Sequence, residues 1–193
     1  MLYKKQDMNN VLTIDLFNKL TGQETLHPLV SLVDLSGDRL AEDFRLPCDF
    51  YALICHKNMD RQCTSLWLAN PGDMFEIPSA YHLRANGYTG VIFHPDLLCD
   101  TPLERSIGQY PARCRCHSTL TEQEHQTISD CLQKIDKELH HAIDRHSGVI
   151  IVSHIELLLN YCTRYCSNSS SRLIQRNTLK VLKHIETNKL SAQ

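Results

Sequence analysis

No surplus of positive charge marks this sequence: its 193 residues carry 20 Lys plus Arg against 22 Asp plus Glu, and its isoelectric point lies near 6.6. A domain that grips a phosphate backbone needs a basic field, so these residues are not expected to bind DNA by themselves. Long apolar runs are missing too. "GVIIV" and "LWLA" are far too short to span a bilayer, and "MLYKKQDMNN" has neither the apolar core nor the cleavage site of a signal peptide. A cytoplasmic protein without membrane contact is expected.

The motifs that usually carry chemistry are also absent. There is no Gly-rich phosphate loop, no nucleophile elbow and no carboxylate pair that spacing nominates. His56, His82 and His94 stand alone, without the His-x-His cluster through which many jelly-roll barrels hold a metal. The chain is therefore expected not to be an enzyme, with no catalytic residue, no metal and no cofactor. A metal-dependent barrel enzyme that gathers ligands from separate strands is the alternative.

Cysteine, by contrast, is plentiful. Nine are present, but the odd number, irregular spacing and lack of an export signal argue for reduced, packed thiols rather than a disulfide framework. "RCRCH" sets Cys114, Cys116 and His117 beside two arginines, a composition that suits a reactive thiolate or three soft metal ligands, yet no second Cys pair supplies a fourth. Cys162 and Cys166 lie one helical turn apart and read as packing.

Hydrophobic content of 42% suffices for a sizeable core, and its periodicity divides the chain. From about 27 to 94, short segments rich in β-branched and aromatic residues alternate with Gly, Pro, Asn and Asp: "HPLVSLVDLSG", "DFYALICHKN", "TSLWLANPGD", "MFEIPSA" and "YTGVIFHP". Strands at this spacing, without helices between them, predict an antiparallel barrel or jelly roll, with Pro71 and Gly72 in a tight turn. "NNVLTIDLFNKLTGQE" fits either a short helix or a strand. At "GVIFHPDLLCDT", His94 and Asp96 suggest a metal or catalytic pair at first sight. Pro95, which has no amide to donate, instead ends the ladder and opens a short helix with His94 near its N-cap.

After residue 101 the period becomes helical. Thr121 and Glu124 form a capping box, and Ile128, Cys131, Leu132, Ile135, Leu139, Ala142 and Ile143 recur on one face. Gly148 interrupts, and a second helix follows with two apolar stripes. One is Ile151, Ile155, Leu158, Cys162 and Tyr165; the other is Ile150, His154, Leu157 and Tyr161. The short link at "RHSG" favours an antiparallel pair in which one stripe packs in the chain and the other meets a second subunit. Taking the first stripe as the dimerising one, charge at Leu158 is expected to yield monomer, with Leu157 as the next position to test.

"LANPGDMFEIPSA", "GVIFHPDLLCDTPLERSIGQY" and the stretch from Leu120 to Cys166 resemble, in that order, the N-terminal regulatory domain of AraC-type transcriptional regulators, particularly those common in Bacteroidetes. The resemblance covers about residues 27–166. It implies an α+β fold: a cupin-like double-stranded β-helix, that is, a jelly-roll barrel, over residues 1–100, followed by an antiparallel helical pair for dimerisation over 101–166. Residues 167–193 form a linker or terminal helix toward a helix-turn-helix DNA-binding domain that these residues do not include.

By that resemblance the chain is a homodimeric sensor of a small effector, a sugar or another small molecule, and reaches DNA only through the missing domain. Tyr51, Trp67, Phe75 and Phe93 are candidate walls of the effector cavity. A stand-alone sensor that acts by forming mixed dimers, and a thiol-based redox sensor built on Cys114 and Cys116, are further alternatives.

Overall fold

The first described helix shows how local chemistry builds this fold. Thr13 accepts a hydrogen bond from the Leu16 amide at 3.2 Å, Asp15 and Lys19 pair one turn apart, and Gly22, at φ 67°, closes α1 (Ile14–Thr21) in the left-handed region that glycine favours. The computed structural model describes residues 11–35, 44–58, 63–77, 86–110, 113–114 and 120–167. The segment whose periodicity fits helix or strand is thus a helix, and its Phe17 is fully buried.

The chain is an α+β protein with two antiparallel sheets among the described residues. In the larger sheet, β1 (Val30–Asp34), β6 (Asn86–Phe93), β3 (Tyr51–Asn58), β4 (Cys63–Ala69) and β7 (Arg113–Cys114) lie side by side in that order. The smaller pairs β2 (Phe44–Pro47) with β5 (Met74–Ile77). Five of these strands overlap the segments expected from alternation, β4 and β6 starting one and two residues earlier; β2 and β7 do not. The turn at "ANPGD" forms as expected, with Gly72 at φ 89° and the Asp73 amide donating to the Asn70 carbonyl at 3.0 Å.

Alternation sorts the side chains into two cores, one on each face of the large sheet. Leu53, Cys55, Leu66, Leu68, Val91 and Phe93 point to the face covered by helices. Ala52, Ile54, Ala69 and Ile92 point to the other, where Leu12, Phe17, Phe50 and Phe75 close over them. The central strands come unusually close at Gly90, where a Cβ would lie 2.1 Å from the Leu53 carbonyl oxygen. Because that neighbour is backbone, Gly90→Ala is expected to cost about 2–3 kcal/mol through forced strand separation. A shift of the urea midpoint with unchanged slope checks it, and an unmoved midpoint refutes it.

At the end of β6 the backbone does what Pro95 dictates. The His94 amide makes the last ladder bond, to the Leu29 carbonyl at 2.8 Å, and its Nδ1 then accepts from the Asp96 amide at 3.2 Å as N-cap of a 3-10 turn, Pro95–Leu98. Leu97 and Leu98 tuck into the helix-side core. Helix α2 (Pro102–Ser106) and a further 3-10 turn (Ile107–Gln109) lead on, and the Tyr110 hydroxyl reaches Asn160 at 3.0 Å.

Helix α3 (Glu122–Leu139) begins with the expected capping box. The Glu124 amide donates to Thr121 Oγ1 at 3.2 Å, and the Thr121 amide donates to Glu124 Oε2 at 2.8 Å. Its apolar face ends sooner than expected: the helix stops at Leu139, so Ala142 and Ile143 lie exposed in the connection. The break comes from Asp144 rather than Gly148. Asp144 Oδ1 accepts from the amides of His146 at 2.7 Å and Ser147 at 3.1 Å, capping helix α4 (147–167), whose first turn includes Gly148. Those backbone donors hold its carboxyl below the usual range.

Both long helices share one core with the larger sheet. Residues 168–193, expected as linker or terminal helix, fall outside the described residues.

Candidate functional site

The four aromatic residues expected to wall one effector cavity occupy two different faces. Trp67, on β4, and Phe75, on β5, stack at 5.3 Å within the core away from the helices. Tyr51 and Phe93, cross-strand neighbours on β3 and β6, stack on each other at 5.3 Å on the helix side. Odd-numbered residues of β3 and β6 face the helices, and so do even-numbered residues of β4, which fixes this division.

On the face that holds Trp67, the interior is graded along the strands. One end is packed solid: Phe17, Phe50 and Phe75 meet edge to face, with centroids 5.6 to 6.4 Å apart. Toward the other end, two side chains that pattern reading did not nominate come together. His56 and Tyr88, paired across β3 and β6, stack at 4.3 Å with ring planes 13° apart. Both are half-buried, as is Trp67. Tyr88 is on the same face as Ile92, and His56 on the same face as Ile54, and the register of β3 with β6 sets the two side by side.

This end therefore offers flat aromatic faces with polar edges, an imidazole and a phenol, beside an indole. Such a surface stacks on planar or sugar rings while hydrogen-bonding their substituents. The Tyr88 hydroxyl is pushed above its ordinary pKa, first by burial and then by the Glu76 carboxylate, which keeps it a neutral donor at physiological pH.

All five residues of the stripe Ile151, Ile155, Leu158, Cys162 and Tyr165 are buried between α4, α3 and the sheet. The single chain already uses that stripe, leaving the other one outward: Ile150 and Leu157 are each 38% exposed, and His154 and Tyr161 are half-buried beside them.

Among the described residues the thiols do not assemble into a reactive site. Cys131 and Cys162 are free thiols buried with Cys55 in the helix-side core, and burial, then the neighbouring Cys55 and Cys131, push the Cys162 thiol far up. A raised pKa leaves a thiol inert at neutral pH. Cys166 departs from the expectation of reduced cysteines, since it is disulfide-bonded. The side chains of Cys114, Cys116 and His117, and residue His82, lie outside the described residues. Among the described residues no group of three or more His, Cys, Asp and Glu side chains is placed to hold a metal ion, and no helix is long and apolar enough to cross a membrane. Neither a protein-family model nor a curated protein matches the chain.

Proposed function

We propose that this chain is the regulatory sensor and dimerisation domain of an AraC-type transcriptional regulator. Its sheets form a cupin-like jelly-roll barrel, a small ring-bearing effector such as a sugar seats at the His56, Tyr88 and Trp67 end of the interior, and α4 pairs two chains. Support for the barrel comes from two antiparallel sheets closing over one apolar interior. Contact with DNA belongs to a separate helix-turn-helix part. An effector that prefers one arrangement of barrel and helices would bias how two such parts meet their half-sites.

The observation that carries this reading is that α4 is apolar on two sides and only one of them is buried within the chain. Of seven large apolar residues exposed among the described ones, four (Ile143, Val149, Ile150 and Leu157) lie in α4 or the connection leading into it. Apolar groups gathered on one surface are the mark of an interface. Two copies of α4 meeting through Ile150, Leu157 and the half-buried Tyr161 would be related by a two-fold axis, with the same patch on each side.

Sedimentation of the wild type and of Leu157→Asp tests it. A wild-type dimer that becomes monomeric in the variant, with unchanged circular dichroism, is expected; a wild-type monomer, or a variant that remains dimeric, overturns it.

A further inference from the structure

The outward stripe of α4 has the spacing of a helix-pairing seam. Ile150, His154, Leu157 and Tyr161 follow one another at four, three and four residues, so they lie on one line along the helix. His154 sits between Ile150 and Leu157, one turn from each, and is half-buried within the single chain already. Imidazole changes its charge just below neutral pH. A seam position is where that change matters most, because pairing strips the ring of its remaining water.

The groups around the ring set its charge preference. Lys134 and Glu138, one turn apart on α3, are the charged groups that face it, and they oppose each other: Lys134 disfavours the imidazolium and Glu138 favours it. Burial is the larger influence, so the ring lies below the ordinary imidazole range. On α4 itself, Glu156 acts on the Tyr110 hydroxyl, which bonds to Asn160, and the Arg164 guanidinium lies over the Tyr161 ring at 5.7 Å. The sheet packs on the opposite side of α4, against the apolar stripe of Ile151, Ile155 and Leu158.

We propose that His154 makes the pairing of two chains through α4 acid-sensitive: with the imidazole neutral the seam closes, and protonation opens it. This rests on the reading of α4 as the dimerisation helix. A two-fold pair brings the same stripe from each chain, so two imidazoles lose water in one interface. A neutral ring tolerates this, being donor and acceptor at once, whereas a buried cation needs a carboxylate partner. Glu138 is the carboxylate that faces it, and Lys134 offsets it.

Pairing therefore lowers the imidazole pKa further than the single chain does. Affinity is full above the single-chain pKa, falls as pH drops through it, and levels off below the pKa in the pair. Because the single chain already holds that pKa below the ordinary range, the loss begins below neutrality. Within the window each imidazole lowers the association constant by up to about tenfold per pH unit, and the two together by up to about a hundredfold.

Sedimentation over a concentration series, at about pH 7.5 and about pH 5, on either side of the imidazole range, tests this on the wild type, His154→Gln and His146→Gln, with circular dichroism confirming the fold at both. The wild-type dissociation constant should rise at least about tenfold at the lower pH, while that of His154→Gln, uncharged throughout, should change less than about twofold. That variant leaves the other histidines to titrate, which separates the seam from general charge repulsion. His146→Gln, in the exposed connection before α4, should follow the wild type. Nuclear magnetic resonance of the wild-type imidazole needs no variant: the His154 pKa should be lower in a concentrated, paired sample than in a dilute one. A wild-type dimer with an unchanged dissociation constant, a His154→Gln dimer that weakens as the wild type does, a response lost in His146→Gln instead, or a His154 pKa that does not fall on pairing would each overturn the inference while the pairing itself stands. A wild type that is monomeric at both pH values overturns the pairing and the inference together.

Discussion

Leu158→Asp is expected to unfold the chain, while Leu157→Asp, one residue away, leaves it folded. Leu158 is 1% exposed and packs in the core shared by α4, α3 and the sheet. Truncating a buried leucine costs about 3–5 kcal/mol through lost burial and the cavity left behind. An aspartate there adds an unpaired charge in an apolar site, or a protonated carboxyl with unmet hydrogen bonds. Domains of this size hold about 5–15 kcal/mol of stability, so the sum removes most or all of it. Leu157 is 38% exposed, and a carboxylate at that position keeps its water. Thermal melts and chemical denaturation of both variants decide the matter. Leu158→Ala serves as an intermediate that should retain a cooperative transition at a lower midpoint. A Leu158→Asp chain with native circular dichroism and an unshifted melt would mean that the stripe faces outward after all.

That contrast also explains how far periodicity reaches. Both stripes of α4 repeat at three and four residues, and a helical period gives the directions of apolar faces without saying which neighbour covers each. The helix itself, the capping box at Thr121 and Glu124, the Pro71–Gly72 turn and the strand-ending Pro95 were all legible, because each depends on a few adjacent residues. The choice of stripe depends on where the sheet lies, which only the assembled fold decides. The same limit divided Tyr51 and Phe93 from Trp67 and Phe75: alternation separates two faces within a strand but does not match faces between strands until the register is known.

The elements that pattern reading missed are those with the weakest local signal. β2 spans "FRLP", with four residues ending in a proline, and β7 has only two residues. Neither is long enough to display a period. The end of α3 was placed too late because Ala142 and Ile143 extend its apolar repeat in sequence, while Asp144 supplies a cap that starts the next helix instead. His56 and Tyr88 escaped notice for a different reason. Polar and aromatic side chains amid turn-rich flanks do not resemble a wall until β3 and β6 are paired in register.

Phe50→Ala should produce the largest loss on the face away from the helices, about 3–5 kcal/mol, because Phe50 is wholly buried there. It also meets Phe75 at 5.6 Å and Phe17 at 6.4 Å, and each edge-to-face pair adds about 0.5–1.5 kcal/mol beyond burial. A double-mutant cycle with Phe75→Ala therefore should show coupling of that order, whereas a cycle of Phe50→Ala with Phe93→Ala should be additive, since Phe93 packs on the opposite face. Trp67 is the chain's one tryptophan, so its emission reports on this side of the sheet alone. Phe75→Ala removes the ring stacked on it at 5.3 Å and should shift that emission most. Phe93→Ala should lower stability while leaving the spectrum of the folded state unchanged. Strong coupling between Phe50 and Phe93, or an emission shift from Phe93→Ala equal to that from Phe75→Ala, would mean that the two cores are energetically one. An effector seated at the Trp67 end would then act on α4 by direct compression of the sheet, rather than by rearranging the strands that separate the two faces.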